Sequence, residues 1–130
     1  MKIVGMNHFN ILTKNLRGTR RFYSEVLGLR EGYRPNFDSL GAWFYVGDEP
    51  ILHISEQAEI PPTGVIDHMA FSGLGLSRTL EDLKMRRIKY ELFHQVGSNI
   101  WQVFFYDPNG AKIEIDFSPG EPAPAGWVAD

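Results

Sequence analysis

Apolar and polar side chains alternate over residues 6–12, the period of a strand with one covered face. The pattern then lengthens. Asn15 is placed to cap a helix in which Leu16, Phe22, Tyr23, Val26 and Leu27 recur near i, i+3/i+4 spacing, and Gly28 supplies a stop that tolerates positive φ. Three strands are expected next, at 29–33, 42–46 and 51–55, with the Gly47-Asp48-Glu49-Pro50 segment as the tight connection between the last two. Residues 57–64, which contain Pro61-Pro62, read as a linker because consecutive prolines remove amide donors and hold the chain extended. After the linker the order starts again, with a strand at 65–71, a helix at 76–88 and strands at 90–93, 100–106 and 112–117. In the turn before the last strand, at 107–110, proline fixes one φ and glycine accepts the left-handed conformation.

Each half therefore reads βαβββ. The frames around His8 (Asn7-His8-Phe9-Asn10-Ile11) and His68 (Asp67-His68-Met69-Ala70-Phe71) match at an offset of 60, and His53 and Glu114 are related by an offset of 61. The fold class expected is α+β, one domain over residues 1–118 built from modules 1–56 and 65–118, followed by a Pro-rich tail at 119–130. Pro119, Pro122 and Pro124 and a lack of core-forming residues suggest a loosely held tail, with Trp127 an exposed aromatic or an anchor onto the body.

Strand alternation places Glu114 on one face with Lys112 and Asp116 while Ile113 and Ile115 point the other way, and His53 likewise opposes Leu52 and Ile54. The apolar faces pack on the helices, so the opposite faces must line something that accepts imidazole and carboxylate. Burying a carboxylate without a partner costs several kcal/mol or forces protonation, whereas a divalent cation compensates its charge. Metal ligation by His8, His53, His68 and Glu114 is the economical reading. His94 falls outside this register, between expected strands, and is assigned to the surface or a pocket rim; Glu81 and Asp82 are solvated helix charges.

Charge and composition narrow the chemistry. A net charge of -3 with a pI near 5.8 argues against a nucleic-acid-binding surface, since the densest basic stretch spans only residues 84–89 and suits a solvated helix face. The absence of cysteine excludes disulfides, thiolate ligands and thiol nucleophiles, so a metal must use nitrogen and oxygen donors. With 43% hydrophobic residues and no apolar run near the roughly 20 residues of a membrane span, a cytoplasmic globular protein is expected.

The four polar residues, the Phe105-Tyr106-Asp107-Pro108-Asn109-Gly110 hairpin leading to Lys112-Ile113-Glu114, and the Phe-Tyr-Ser-Glu-Val-Leu-Gly-Leu segment at 22–29 resemble the vicinal oxygen chelate superfamily. That group includes glyoxalase I, methylmalonyl-CoA epimerase, fosfomycin-resistance proteins, extradiol dioxygenases and bleomycin-resistance proteins, and the resemblance covers residues 3–118. It implies two βαβββ modules forming an incomplete barrel around one divalent metal ion (Fe, Mn, Ni, Co or Zn), commonly completed across a homodimer. His8 and His53 of one chain would then join His68 and Glu114 of the other. It also implies that Trp43, Gln102 and Phe104 face the cavity, with Tyr106 either polarising a substrate oxygen or packing beside the turn. The fourth ligand position, here His53, varies within the family. A carboxylate there can act as a base near the metal, and His53 would do so only as a neutral imidazole released from it. The expected function is a metal-dependent lyase or isomerase acting on a small substrate with adjacent oxygens, with His53 and Glu114 as the catalytic candidates. An Fe(II)-dependent dioxygenase is the second reading, weakened by the third imidazole. A metal-free binding protein of the bleomycin-resistance kind is the third.

Overall fold

In the computed structural model every residue is described except 1, 3–5, 7, 63, 65, 67, 96 and 129–130. The chain divides into two compact units, Met1–Thr63 and Gly64–Asp130.

The first unit contains β1 (Phe9–Thr13), α1 (Leu16–Glu25), β2 (Arg30–Gly32), β3 (Gly41–Val46) and β4 (Glu49–Glu56). Its sheet has the order β1-β4-β3-β2, with β1 parallel to β4 and the other pairs antiparallel. The helix begins where expected because the Asn15 side-chain oxygen accepts from the Gly18 amide at 3.0 Å, satisfying one of the helix's free N–H groups. It stops at Glu25, two residues before the expected end. Gly28, at φ +67°, then turns the chain so that the Leu29 amide donates to the Tyr23 carbonyl at 3.0 Å. Phe22 and Tyr23 cover Ile11, Ala42, Phe44, Leu52 and Ile54 in the core; each fully buried apolar side chain contributes about 1.5–3 kcal/mol.

The second unit repeats the design with β5 (Met69–Gly73), α2 (Leu76–Met85), β6 (Glu91–His94), β7 (Trp101–Tyr106) and β8 (Lys112–Phe117). Its sheet order is β5-β8-β7-β6, again with one parallel pair, β5 and β8. Leu76, Leu80 and Leu83 of α2 bury against Trp101, Val103, Phe105, Ile113, Ile115 and Phe117. The helix ends at Met85 rather than at residue 88, because Arg87 takes a left-handed φ of +59° and closes the last turn. The turn between β7 and β8 is tied by Asp107, whose carboxylate accepts from the amides of Asn109 and Ala111, both at 2.8 Å.

Three expectations change. Strands β1 and β5 begin at Phe9 and Met69, later than expected, and positions 7, 65 and 67 of the expected strands lie outside the described residues. His94 is the last residue of β6, stacked on Trp101 with ring centroids 4.1 Å apart. The tail is tied to the second unit rather than loosely held. Glu121 accepts from the Gly75 and Leu76 amides at 2.7 and 3.3 Å, the Glu121 carbonyl accepts from Trp101 Nε1 at 3.2 Å, and Trp127 packs edge-on against Trp101 at 5.1 Å. No helix among the described residues is long and apolar enough to cross a membrane.

Candidate metal and substrate site

In the first unit His53 lies on β4, cross-strand from Asn10 of β1 on one side and Trp43 of β3 on the other. Alternation puts Leu52 and Ile54 into the core and leaves His53 on the opposite face. His8, just before β1 and two residues from Asn10, shares that face. The three rings form a stack: Trp43 and His53 are parallel within 4° at 3.9 Å, and His53 and His8 lie within 18°, also at 3.9 Å.

His53 Nε2 is buried and has no hydrogen-bond partner. A neutral imidazole carries a lone pair on one ring nitrogen, the form in which histidine ligates a metal. Burial, the neighbouring His8 and, more weakly, the Arg34 guanidinium hold the His53 pKa below its ordinary value, outweighing the opposing effect of the Pro50 backbone.

In the second unit the equivalent face is ionic. Glu114 pairs with Ala70 of β5 in the register that joins His53 to Asn10, and with Phe104 of β7 where His53 meets Trp43. His68 Nε2 lies 2.6 Å from one Glu114 oxygen, and Gln102 Nε2 donates to the other. Gln102 also reaches Asp116 Oδ1 at 3.3 Å, and Phe104 meets the His68 ring edge-on at 5.7 Å. Glu114 is only 6% exposed. Burial and then Asp116 raise its carboxyl pKa, against the lowering effects of His68 and Gln102.

The structure thus brings His8, His53 and Trp43 together in one unit, and His68, Glu114, Gln102 and Phe104 together in the other. Tyr106 lies apart: it is 57% exposed at the turn end of β7, opposite Lys112, whose ammonium sits 5.3 Å above the Phe104 ring. Among the described residues no three His, Asp or Glu side chains cluster closely enough to hold a metal ion, so each unit offers a pair. The donor set nonetheless fits a divalent cation: a bare buried imidazole nitrogen and a buried carboxylate are both groups that such an ion satisfies.

Sequence reasoning singled out neither Asp116 nor Arg34 as a site residue. Asp116 was legible by parity, two residues from Glu114 on the same face. Arg34 sits in the loop after β2, where no periodicity reveals which way a side chain turns.

The sequence model of the Glyoxalase/Bleomycin resistance protein/Dioxygenase superfamily matches residues 5–115, and the chain belongs to that superfamily. It is 28% identical over 127 residues to Glyoxylase I 4 of Arabidopsis thaliana, covering 88% of this chain and 71% of the relative. Among solved structures it is similar in fold to a glyoxalase/dioxygenase from Nostoc punctiforme, with a TM-score of 0.74 and 23% identity over 88% of this chain and 91% of that one. It is also similar in fold to lactoylglutathione lyase from Agrobacterium tumefaciens, with a TM-score of 0.70 and 16% identity over 92% and 97% of the two chains.

Proposed function

We propose that this chain is a divalent-metal-dependent enzyme of the glyoxalase-like type, a lyase or isomerase acting on a small substrate whose adjacent oxygens chelate the metal. His8, His53, His68 and Glu114 are the proposed ligands, with the two pairs contributed across a homodimer. The observation that carries this reading is the buried, unpartnered Nε2 of His53. A buried polar atom with no partner is costly in a folded protein, and a cation is a partner that an imidazole nitrogen satisfies.

When bound, the divalent ion supplies Lewis-acid stabilisation of a developing oxyanion. The chain's own residues do the rest. Gln102 holds the Glu114 carboxylate in orientation. The Trp43 and Phe104 rings offer apolar walls that exclude water and fix the plane of a small substrate, and their own packing against His53 and His68 positions the donors. A substrate proton passes to one of these groups only where it is released from the ion: His53, its pKa lowered by burial, or Glu114, whose raised pKa makes it a stronger base than an ordinary carboxylate.

Elemental analysis of untagged protein purified without chelator is the first test, and one divalent ion per site is expected. Glu114→Gln should lose both metal and turnover. His53→Gln separates two roles: metal loss identifies a ligand, while retained metal with a collapsed kcat identifies a base. A metal-replete protein inert toward α-keto aldehydes, hydroxy acids and epoxides would overturn the enzymatic reading, and metal below about one-tenth per chain would overturn the metal site.

A further inference from the structure

Arg34 is half-buried in the loop between β2 and β3, and its guanidinium is underbonded. Nε is buried with no partner, and the group's one hydrogen bond among the described residues is a long one, from Nη2 to Ser39 Oγ at 3.4 Å. No carboxylate pairs with it among the described residues, whereas Arg20, Arg21 and Arg86 all have acidic partners. A guanidinium has five N–H donors in a planar fork, and an anion satisfies those the chain leaves open.

Its position is specific. Gly41 has no side chain, and a Cβ there would come within 2.8 Å of Arg34 Nη2 and 2.9 Å of its Cζ, as well as against the Ile54 carbonyl. The glycine therefore lets the guanidinium lie against β3. Gly41 has the same strand parity as Trp43, one same-face step of about 7 Å away, and Trp43 stacks on His53. The Phe37 ring covers one guanidinium face at 4.7 Å and lies 6.1 Å from Trp43. A run of planar groups, Arg34, Phe37, Trp43, His53 and His8, thus carries a cation at one end and imidazoles at the other, all within the first unit.

We propose that Arg34, flanked by Phe37 and Trp43, is an anion subsite that receives the carboxylate of a small organic acid. A carboxylate fits better than a phosphate because the site offers a single planar fork and one positive charge. The nearby Arg30 is committed to the Gly47 carbonyl at 3.1 Å and the Tyr45 ring at 5.0 Å. The substrate class is then a short hydroxy or oxo acid whose carboxylate lies a few bonds from the oxygens at the imidazole end. Only the placement of those oxygens rests on the metal-dependent reading; recognition of the carboxylate needs no metal.

The test uses metal-stripped full-length protein. Pyruvate and its neutral amide, nearly identical in shape, are titrated separately while the Arg34 Nε–H cross-peak is followed by nitrogen-15 NMR, the peak being assigned by its absence in Arg34→Lys. Pyruvate is expected to bind at least tenfold more tightly than the amide and to move the Arg34 peak. Arg34→Gln should abolish the preference while leaving amide binding and thermal midpoint unchanged, and Arg34→Lys should keep part of it. Equal binding of the two probes, no binding of pyruvate, an Arg34 peak that does not move, or a preference that survives in Arg34→Gln would overturn the subsite. Inorganic phosphate binding more tightly than pyruvate would overturn its assignment to carboxylates. Failure here with metal and turnover intact would leave the enzymatic reading standing.

Discussion

The two units share strand order, register and the parallel pairing of first and last strands, yet they place opposite kinds of chemistry on the equivalent face. In the first unit the polar groups are imidazoles packed ring on ring, and burial and a second histidine lower the His53 pKa. In the second, a buried carboxylate is held by an imidazole and an amide, with another carboxylate nearby. One backbone frame thus carries two kinds of polar group: one offers lone pairs without charge, the other offers a charge. The backbone fixes where a side chain points, and the residue type alone decides what it offers.

The largest expected effect breaks that asymmetry at the metal. Glu114→Ala should lower affinity for the divalent ion by at least 100-fold, about 2.8 kcal/mol, because it removes the charge that compensates the cation. His53→Ala should cost about tenfold, since a neutral donor can be replaced by water. The comparison is made by competition with a chelator of known affinity. Equal losses would mean that the units contribute equivalently.

An effect of comparable size concerns how the second unit is closed. Removing residues 120–130 deprives the Trp101 indole N–H and the start of α2 of their acceptors and uncovers Trp101, which is 3% exposed in the intact chain. The expected loss is about 2–4 kcal/mol, from unsatisfied donors and a lost aromatic pair. It is read by urea unfolding with Trp101 fluorescence, and a change below about 0.5 kcal/mol would show that the tail merely rests there.

What was legible in the sequence follows the reach of each signal. Strand alternation is local, so the faces of His53, Glu114, Gln102 and Phe104 could be read from their immediate neighbours, and the fold class followed from the repeated element order. The contacts of the tail are not local. Glu121 meets Gly75 across 46 residues, and a Pro-rich segment carries no periodicity that would announce such a contact. Arg34 was missed for a related reason, because its orientation depends on the absence of a side chain at Gly41. Tyr106 shows the opposite limit: parity gave its face correctly, but its exposed place beside the turn depends on where the strand ends.

The pH response of the metal-free protein sharpens the electrostatic side of the comparison. Burial raises the native Glu114 pKa above its unfolded value, so this group supports folding below the ordinary carboxylate range and loses that contribution as pH rises through the raised pKa. Wild type should therefore fall behind Glu114→Gln in stability as the carboxyl ionises, and match it more closely in acid. The native His53 pKa is lowered, so its contribution is fully present above the ordinary imidazole range and declines as pH falls. Chemical unfolding across the two ranges separates the groups, and a pH-independent difference between wild type and Glu114→Gln would remove the electrostatic explanation.

The smallest expected effect lies at the two helix starts. In the first unit Asn15 caps α1 from within the local sequence, and Glu56 adds one bond to the Leu16 amide at 3.3 Å. In the second unit Gly75 has no capping side chain, and Glu121 supplies the acceptor for two amides from the tail. A carboxylate at a helix N-terminus contributes about 0.3–1 kcal/mol, reduced by salt. Glu121→Gln should therefore cost about 1 kcal/mol at low ionic strength, and Glu56→Gln about 0.3 kcal/mol because Asn15 remains. Adding salt should narrow the difference, while hydrogen exchange in the first turn of α2 should rise in the former variant alone. Equal costs would mean that the borrowed cap and the local cap do the same work.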